Sequence, residues 1–177
     1  MLDFEALNAL ALEAGFTHAA PLDAGTIELK DEVRDMCGAC GVYNHNWSCP
    51  PACGTLDELR AKVAGYREGI LVQTVGELED QFDGEGMMEA QENFKDSFTA
   101  LHDRLAQDYP GLLSLCAGTC TRCKKCTYPD EPCRFPDKRF SSMEAYGIVV
   151  MDTCKANDLQ YYYGPNAIAY TGCFLLK

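Results

Sequence analysis

The sequence is short of positive charge and of long apolar runs. Only 15 Lys and Arg stand against 27 Asp and Glu, which gives a formal net charge of -12. That charge repels the phosphates of nucleic acids and of anionic lipids over most of the surface, so we expect neither as a partner. Apolar stretches such as residues 70–72 and 148–151 are far too short to cross a bilayer.

The motifs of several common enzyme classes are also missing. There is no G-x-G-x-x-G fingerprint, no Walker A loop, no G-x-S-x-G elbow and no H-E-x-x-H pair. A nucleotide-using enzyme is therefore not supported. The first residues carry Asp3 and Glu5 and no basic segment, so they do not resemble a secretory signal, and we expect a cytoplasmic protein.

Cysteine is the residue that the sequence has in excess. It has eleven in 177 residues, an odd number that leaves at least one without a disulfide partner. In a reducing cytoplasm such a number favours metal or redox chemistry over a disulfide scaffold. Eight of the eleven form two groups of four, one within residues 37–54 and the other within residues 120–133 of the segment 116–139.

The second group is the more specific of the two. Cys120, Cys123, Cys126 and Cys133 follow the spacing C-x2-C-x2-C-x6-C, which resembles the cluster-binding loop of bacterial ferredoxins. Three thiolates with two residues between successive cysteines can each reach a different iron of one cluster. Zinc more often takes two C-x-x-C pairs that lie a dozen or more residues apart. The spacing predicts a 4Fe–4S cluster here, with zinc as the alternative.

The first group predicts a second metal centre with less specificity. Cys37, Cys40, Cys49 and Cys53 follow the spacing C-x2-C-x8-C-P-P-x-C. A C-x-x-C hook and a C-x3-C pair would also satisfy the tetrahedral geometry of zinc. We predict a second 4Fe–4S cluster, again with zinc as the alternative.

Spacing does not decide which cysteines share a cluster. In two-cluster ferredoxins the cysteine before a proline ligates the other cluster. By that analogy Cys49 would complete the second site and Cys133 the first. Local grouping is the default, because no proline directly follows Cys133.

Three cysteines lie outside both groups. Cys154 and Cys173 stand in periodic segments, where a lone cysteine is usually a small core residue. Cys116 precedes Cys120 by four residues and is either a core residue or a further ligand.

The pattern of apolar residues and turns predicts an α+β fold, with a small mixed sheet flanked by helices and the two cysteine loops grafted onto it. We treat residues 1–177 as one domain. The predicted helices are 3–14, 55–65, 85–107, 142–147 and 153–156. The predicted strands are 17–22, 26–29, 67–75 and 168–176, the last paired with 159–163.

The chain resembles a family of small, cysteine-rich prokaryotic proteins described as predicted metal-binding proteins of unknown function. The resemblance covers nearly the whole chain. It rests on Cys37, Cys40, Gln73 and the segments 43–51, 117–126, 132–139, 142–148 and 171–176. It implies metal binding but no particular activity.

Four cysteines stand where this resemblance does not predict one: Cys53, Cys116, Cys154 and Cys173. If Cys53 is not a ligand, the first cluster has three thiolates and one iron open to a small substrate. The second loop also contains three basic residues close together in sequence: Arg134, Lys138 and Arg139. They have four possible roles: to balance the charge of an iron–sulfur cluster, to contact an acidic partner, to bind an anionic substrate or to form structural ion pairs.

These patterns predict an iron–sulfur protein with two 4Fe–4S clusters that transfers electrons to or from redox partner proteins in an oxygen-poor setting. Two alternatives stay open. One is an iron–sulfur enzyme whose open cluster acts on a small substrate, for example in sulfur removal or transfer. The other is a zinc-stabilised binding module.

Overall fold

A computed structural model describes residues 2–177, and its centre is one five-stranded mixed sheet. The strands are β1 (His18–Asp23), β2 (Glu68–Glu77), β3 (Leu113–Cys116), β4 (Ser141–Ser142) and β5 (Ala167–Leu176). Their order across the sheet is β1-β2-β5-β3-β4. All neighbours are antiparallel except β3 and β4, which are parallel.

Five α-helices surround the sheet: α1 (Phe4–Glu13), α2 (Asp31–Met36), α3 (Leu56–Val63), α4 (Gly84–Asp108) and α5 (Val150–Ala156). Four 3-10 turns connect these elements: Ala24–Thr26, Cys37–Ala39, Pro136–Lys138 and Glu144–Tyr146. Within residues 2–177, none of the helices combines the length and apolar character that crossing a bilayer requires.

The sheet has an apolar core on each face, because successive strand residues point to opposite sides. Ile70 of β2 and Phe174 of β5 pack with α1 and α4 in one core. Leu71 and Cys173, one residue along on each strand, pack with α3 and α5 in the other. The two longest strands are thus covered by helices on both faces.

The predicted α+β fold is confirmed, and most predicted elements lie within a few residues of their positions. The capping box is also as predicted: the Thr55 side chain accepts from the Glu58 backbone N–H, and the Glu58 carboxylate accepts from the Thr55 N–H. This pair fixes the start of α3 at the end of the first cysteine loop.

Two strand predictions are wrong. Residues 26–29 form the end of a 3-10 turn and a single bridge between Leu29 and Ile148 rather than a strand. Residues 159–163 form no strand, and β5 pairs instead with β2 over ten residues and with β3. A long buried strand gains more from pairing on both edges than from a local hairpin, which explains the difference.

The sheet places the two cysteine loops next to each other. The second loop leaves the sheet after β3 and returns to it at β4, and these two strands form one edge of the sheet. The first loop connects α2 to α3. The turn Glu144–Tyr146, just after β4, lies against both ends of the first loop.

Candidate metal centre

Two cysteines of the first group, Cys37 and Cys53, lie on the turn Glu144–Tyr146. The Cys37 thiol lies 3.9 Å from the carbonyl oxygen of Glu144, and the Cys53 thiol lies 3.9 Å from that of Ala145. These carbonyls belong to consecutive residues, so the two thiols lie over the same turn. The structure thereby brings together the two ends of a loop that is 17 residues long in sequence.

Arg34 holds this arrangement from α2. Its guanidinium donates to the carbonyl oxygens of Ala145 and Gly54, which lie on the turn and at the end of the loop. Burial raises the pKa of the Cys37 and Cys53 thiols, and the positive charge of Arg34 opposes that rise without cancelling it. Sequence reasoning missed Arg34, although it stands only three residues before Cys37.

The other two members of the first group differ in exposure. Cys49 is buried, whereas Cys40 is exposed. The charge of a Cys49 thiolate would raise the pKa of both Cys37 and Cys53, and Cys40 acts on Cys37 in the same way. The four predicted ligands of the first site are therefore neighbours.

The second group surrounds a cavity. Cys120, Cys123, Cys126 and Cys133 all line one narrow cavity, together with Trp47 of the first loop. All four side chains are partly buried. Burial raises the pKa of the Cys120 thiol, and the charges of Cys133 and Cys123 raise it further. The four predicted ligands thus share one space, as local grouping requires.

Asn46 and Ser48 join the two loops. The Asn46 side-chain amide donates to the Cys120 carbonyl at 3.1 Å, and the Ser48 hydroxyl accepts from the Cys120 N–H at 3.1 Å. The same hydroxyl donates to Asn46 Oδ1 at 2.9 Å. Both side chains are buried, so these bonds fix the backbone of Cys120 relative to the first loop.

Cys49 stands at the junction between the two groups. Its sulfur lies 3.2 Å from the Thr119 hydroxyl, next to Cys120, and 3.7 Å from the Ser48 hydroxyl. This is the cysteine that the ferredoxin analogy assigns to the second site. Its position keeps both groupings open, whereas Cys133 lies with the second group.

Trp47 is held between the loops. Its indole N–H donates to the Glu131 carbonyl at 3.1 Å, and its ring meets Tyr128 edge-on at 4.8 Å. The Tyr128 hydroxyl donates to Asn44 Oδ1 at 2.8 Å, which ties the second loop back to the first. Trp47 thereby forms part of the lining of the cavity between the second group's cysteines.

Lys95, on α4, binds the second loop through two hydrogen bonds. Its ammonium donates to the Thr119 carbonyl at 2.8 Å and to the Thr121 hydroxyl at 3.2 Å. Burial lowers the pKa of Lys95, and the nearby Cys116 and Cys120 thiols oppose that fall. Nothing in the local sequence pointed to Lys95, because α4 and the loop are distant in sequence.

The three remaining cysteines are buried in the apolar cores. Cys154 and Cys173 belong to one core, as predicted, and Cys116 lies in the other. Burial raises the pKa of Cys116 to about 12 and that of Cys154 to about 11. These thiols stay protonated at neutral pH, as expected of structural cysteines.

The donor set at both groups consists of sulfur, which suits soft metals and iron–sulfur clusters. Within residues 2–177, no three Cys, His, Asp or Glu side chains converge closely enough to hold a single metal ion. The second group instead surrounds a shared cavity. The four thiols that line this cavity fit, by their chemistry, a ligand that several thiolates share.

The fold and the two groups define a cysteine-rich α+β protein with paired thiol loops at one edge of its sheet. Its sequence belongs to the family of predicted metal-binding proteins termed DUF2284, whose model matches residues 20–176. This confirms the family suggested by the sequence motifs. No curated protein and no solved structure matches the chain.

Proposed function

We propose that this metal-binding protein carries two 4Fe–4S clusters and transfers single electrons between redox partner proteins in an oxygen-poor cytoplasm. Cys37, Cys40, Cys49 and Cys53 would hold the first cluster. The second would be held by the group that lines the shared cavity: Cys120, Cys123, Cys126 and Cys133. Bound clusters of this kind accept and release one electron at a time.

The observation that carries the proposal is the second cavity. Four thiols separated by up to 13 residues line a single cavity. The ferredoxin-like spacing and the surrounding positive charge support a cluster rather than zinc. Residues 116–139 hold six basic and three acidic residues, although the remainder of the chain holds nine basic and 24 acidic ones. Cationic side chains offset the negative charge of thiolate-bound iron.

The bonds between the loops support a second part of the proposal. Asn46, Ser48 and Thr119 connect the backbone and thiols of the two groups through direct hydrogen bonds. Two centres held this close would exchange electrons within the protein. One would face an electron donor and the other an acceptor.

The test is the iron, acid-labile sulfide and zinc content of anaerobically purified protein, with a visible absorption spectrum. About eight irons and eight sulfides per chain, with a band near roughly 400 nm that bleaches on reduction, are expected for two cubanes held by thiolates. One or two zincs without iron would overturn the electron-transfer proposal and favour a zinc-stabilised binding module.

A second candidate function is favoured by the surroundings of Cys53. Its side chain lines a polar cavity that also contains Lys62, His102 and Tyr146. If three cysteines hold the first cluster, a small substrate in this cavity would have access to an open iron. Cys53→Ala separates the two functions, because the carrier requires the fourth thiolate. Loss of half the iron supports the carrier, and full retention supports the enzyme.

A further inference from the structure

We propose that the cavity beside Cys53 binds a small anion, a carboxylate or an oxyanion of sulfur or phosphorus, through Lys62 and Arg139. The cavity has a volume of about 220 Å³ and lies between the first cysteine loop, the end of α3 and the strands β3 and β4. Cys53 and Trp47 form its wall on the side of the first loop.

Two cationic side chains in this cavity have no acidic partner. Neither Lys62 nor Arg139 takes part in an ion pair within residues 2–177, although the chain holds 27 acidic residues. The Lys62 ammonium meets the Tyr146 hydroxyl at 3.5 Å, and the Arg139 guanidinium lies 6.0 Å from the centre of the Trp47 ring. A guanidinium carries five N–H donors in a planar fork that matches carboxylates and other oxyanions.

Neutral donors complete the lining. The Tyr146 residue is only 4% exposed, and burial raises its pKa to about 12, so its hydroxyl stays protonated. His102 Nδ1 and Ser114 Oγ lie 2.8 Å apart, and burial lowers the pKa of His102, which keeps the imidazole neutral at pH 7. One carboxylate, Asp137, also lies in the described lining. Apart from Cys53, which is a proposed metal ligand, the charged side chains of the lining are therefore two cations and one acid.

The neighbouring cationic cavity is a weaker candidate. It lies beside Lys95, Arg122 and Lys138 and has a volume of about 190 Å³. Lys95 already donates twice to the second loop, and Lys138 is paired with Asp103 at 2.5 Å. Arg122 donates to the Thr99 hydroxyl. Two of its three cations are therefore bound to a carbonyl or a carboxylate of the protein, whereas Lys62 contacts a hydroxyl and Arg139 an aromatic ring.

The inference rests on side chains that are not proposed metal ligands, apart from Cys53 in the wall. It therefore stands whether the first group holds iron or zinc. If the proposed clusters are present, the bound anion lies next to the first centre. The site then provides what the enzyme alternative needs, which is a means of holding a substrate beside that centre.

The test is calorimetric titration of protein purified with its metals intact. Sodium sulfate and sodium acetate are titrated separately, with sodium chloride keeping the ionic strength constant. We expect saturable binding of one anion per chain, and the stronger ligand identifies an oxyanion or a carboxylate. Arg139→Gln and Lys62→Met should each weaken binding about tenfold or more, because each removes charge-assisted hydrogen bonds.

Lys155→Met is the matched control. Lys155 is exposed on α5, so this substitution removes the same charge from outside the cavity. It should leave binding unchanged, and an equal loss in this variant would show that net charge alone is responsible. Absence of saturation with both anions in the wild-type chain would overturn the proposal outright. Metal content measured on the same samples separates this failure from failure of the metal proposal.

A second measurement avoids variants altogether. Trp47 is the single tryptophan of the chain and lies in the cavity wall. Iodide, an anion, should quench its emission more than neutral acrylamide does, and the preferred anion should protect against iodide. Equal quenching by both, with no protection, would contradict an anion site.

Discussion

The two cysteine loops carry the same number of predicted ligands but are built in different ways. Residues 37–54 contain no Lys, Arg, Asp or Glu, whereas residues 116–139 contain six basic and three acidic residues. Two thiols of the first loop, those of Cys37 and Cys53, lie against the turn Glu144–Tyr146, whereas all four thiols of the second line a cavity. The ends of the first loop are held by contacts with the rest of the protein, whereas the second loop forms a cavity between its own thiols.

This difference identifies what each loop needs in order to be stable. The first loop has Arg34 and the carbonyls of a turn packed on the core to hold its ends. The second loop leaves the sheet and returns to it, and much of its surface is exposed. Four thiolates in its cavity would repel one another without a cation, and the excess of basic side chains there reduces that cost. We therefore expect the second loop to depend more strongly on its metal.

The largest effect is expected from removing a thiol of the second cavity. Cys123→Ser should abolish the second centre, because the cluster loses one of four ligands. Iron and acid-labile sulfide should fall by about half, from the roughly eight of each expected for two cubanes. Cys154→Ala is the control, since Cys154 is buried in the apolar core and should lower stability without loss of metal. Equal metal loss in both variants would contradict the assignment.

Removing the anchor of the first loop should have the next largest effect. Arg34→Ala deletes the hydrogen bonds from a charged, half-buried guanidinium to Ala145 and Gly54. We expect the free energy of unfolding to fall by about 1.5–3 kcal/mol, measured by urea denaturation under anaerobic conditions. The first centre should become more sensitive to chelators and the second should not.

Arg104→Ala provides the comparison for this variant. Arg104 forms an exposed ion pair with Asp108 one helical turn away, and such pairs contribute only about 0.3–0.5 kcal/mol. A loss in Arg104→Ala as large as that in Arg34→Ala would show that the anchor has no special role.

The sequence contained enough information for the main elements of the fold. Apolar periodicity predicted α1, α4 and β2, and the Thr55–Glu58 pair predicted the start of α3. These signals are local, since each depends on residues within a few turns of one another. The cysteine spacings and the family motifs were also readable, and the family was confirmed over residues 20–176.

What the sequence could not provide is long-range. The pairing of β5 with β2 joins residues about a hundred positions apart, and no local signal distinguishes it from a hairpin with 159–163. No local signal predicts the contact of Lys95 with the second loop either, or that of the turn Glu144–Tyr146 with the first. Spacing predicted candidate ligands within each loop, but only the fold places these supporting residues.

A smaller effect, shared by both loops, is expected from Ser48→Ala. The Ser48 hydroxyl donates to Asn46 and accepts from the Cys120 N–H, and the residue is 1% exposed. Its loss leaves buried polar groups without partners, so stability should fall by about 1–3 kcal/mol. Unlike Cys123→Ser, it should perturb the spectra of both centres together.

Thr26→Ala is the matched control for Ser48→Ala. The Thr26 hydroxyl also donates once and accepts once, to Asp23 and from Asn157, but it is remote from the cysteine loops. It should lower stability without changing either spectrum. If Ser48→Ala alters one centre alone, the hydrogen bonds between the loops do not couple them.

The smallest predicted effect concerns the different charge of the two loops, and substitution of Lys95 tests it. The Lys95 ammonium lies under the second loop, where it donates to Thr119 and Thr121. A nearby cation stabilises the more negative, reduced form of a cluster, so Lys95→Met should lower the reduction potential of the second centre by on the order of tens of millivolts. Cys120 of the second group interacts electrostatically with Lys95, so the first centre should shift less. A redox titration followed by electron paramagnetic resonance measures both, with Lys155→Met as the control for overall charge. Equal shifts at the two centres would mean that the second loop gains nothing specific from its positive surroundings, and the contrast between the loops would then rest on geometry alone.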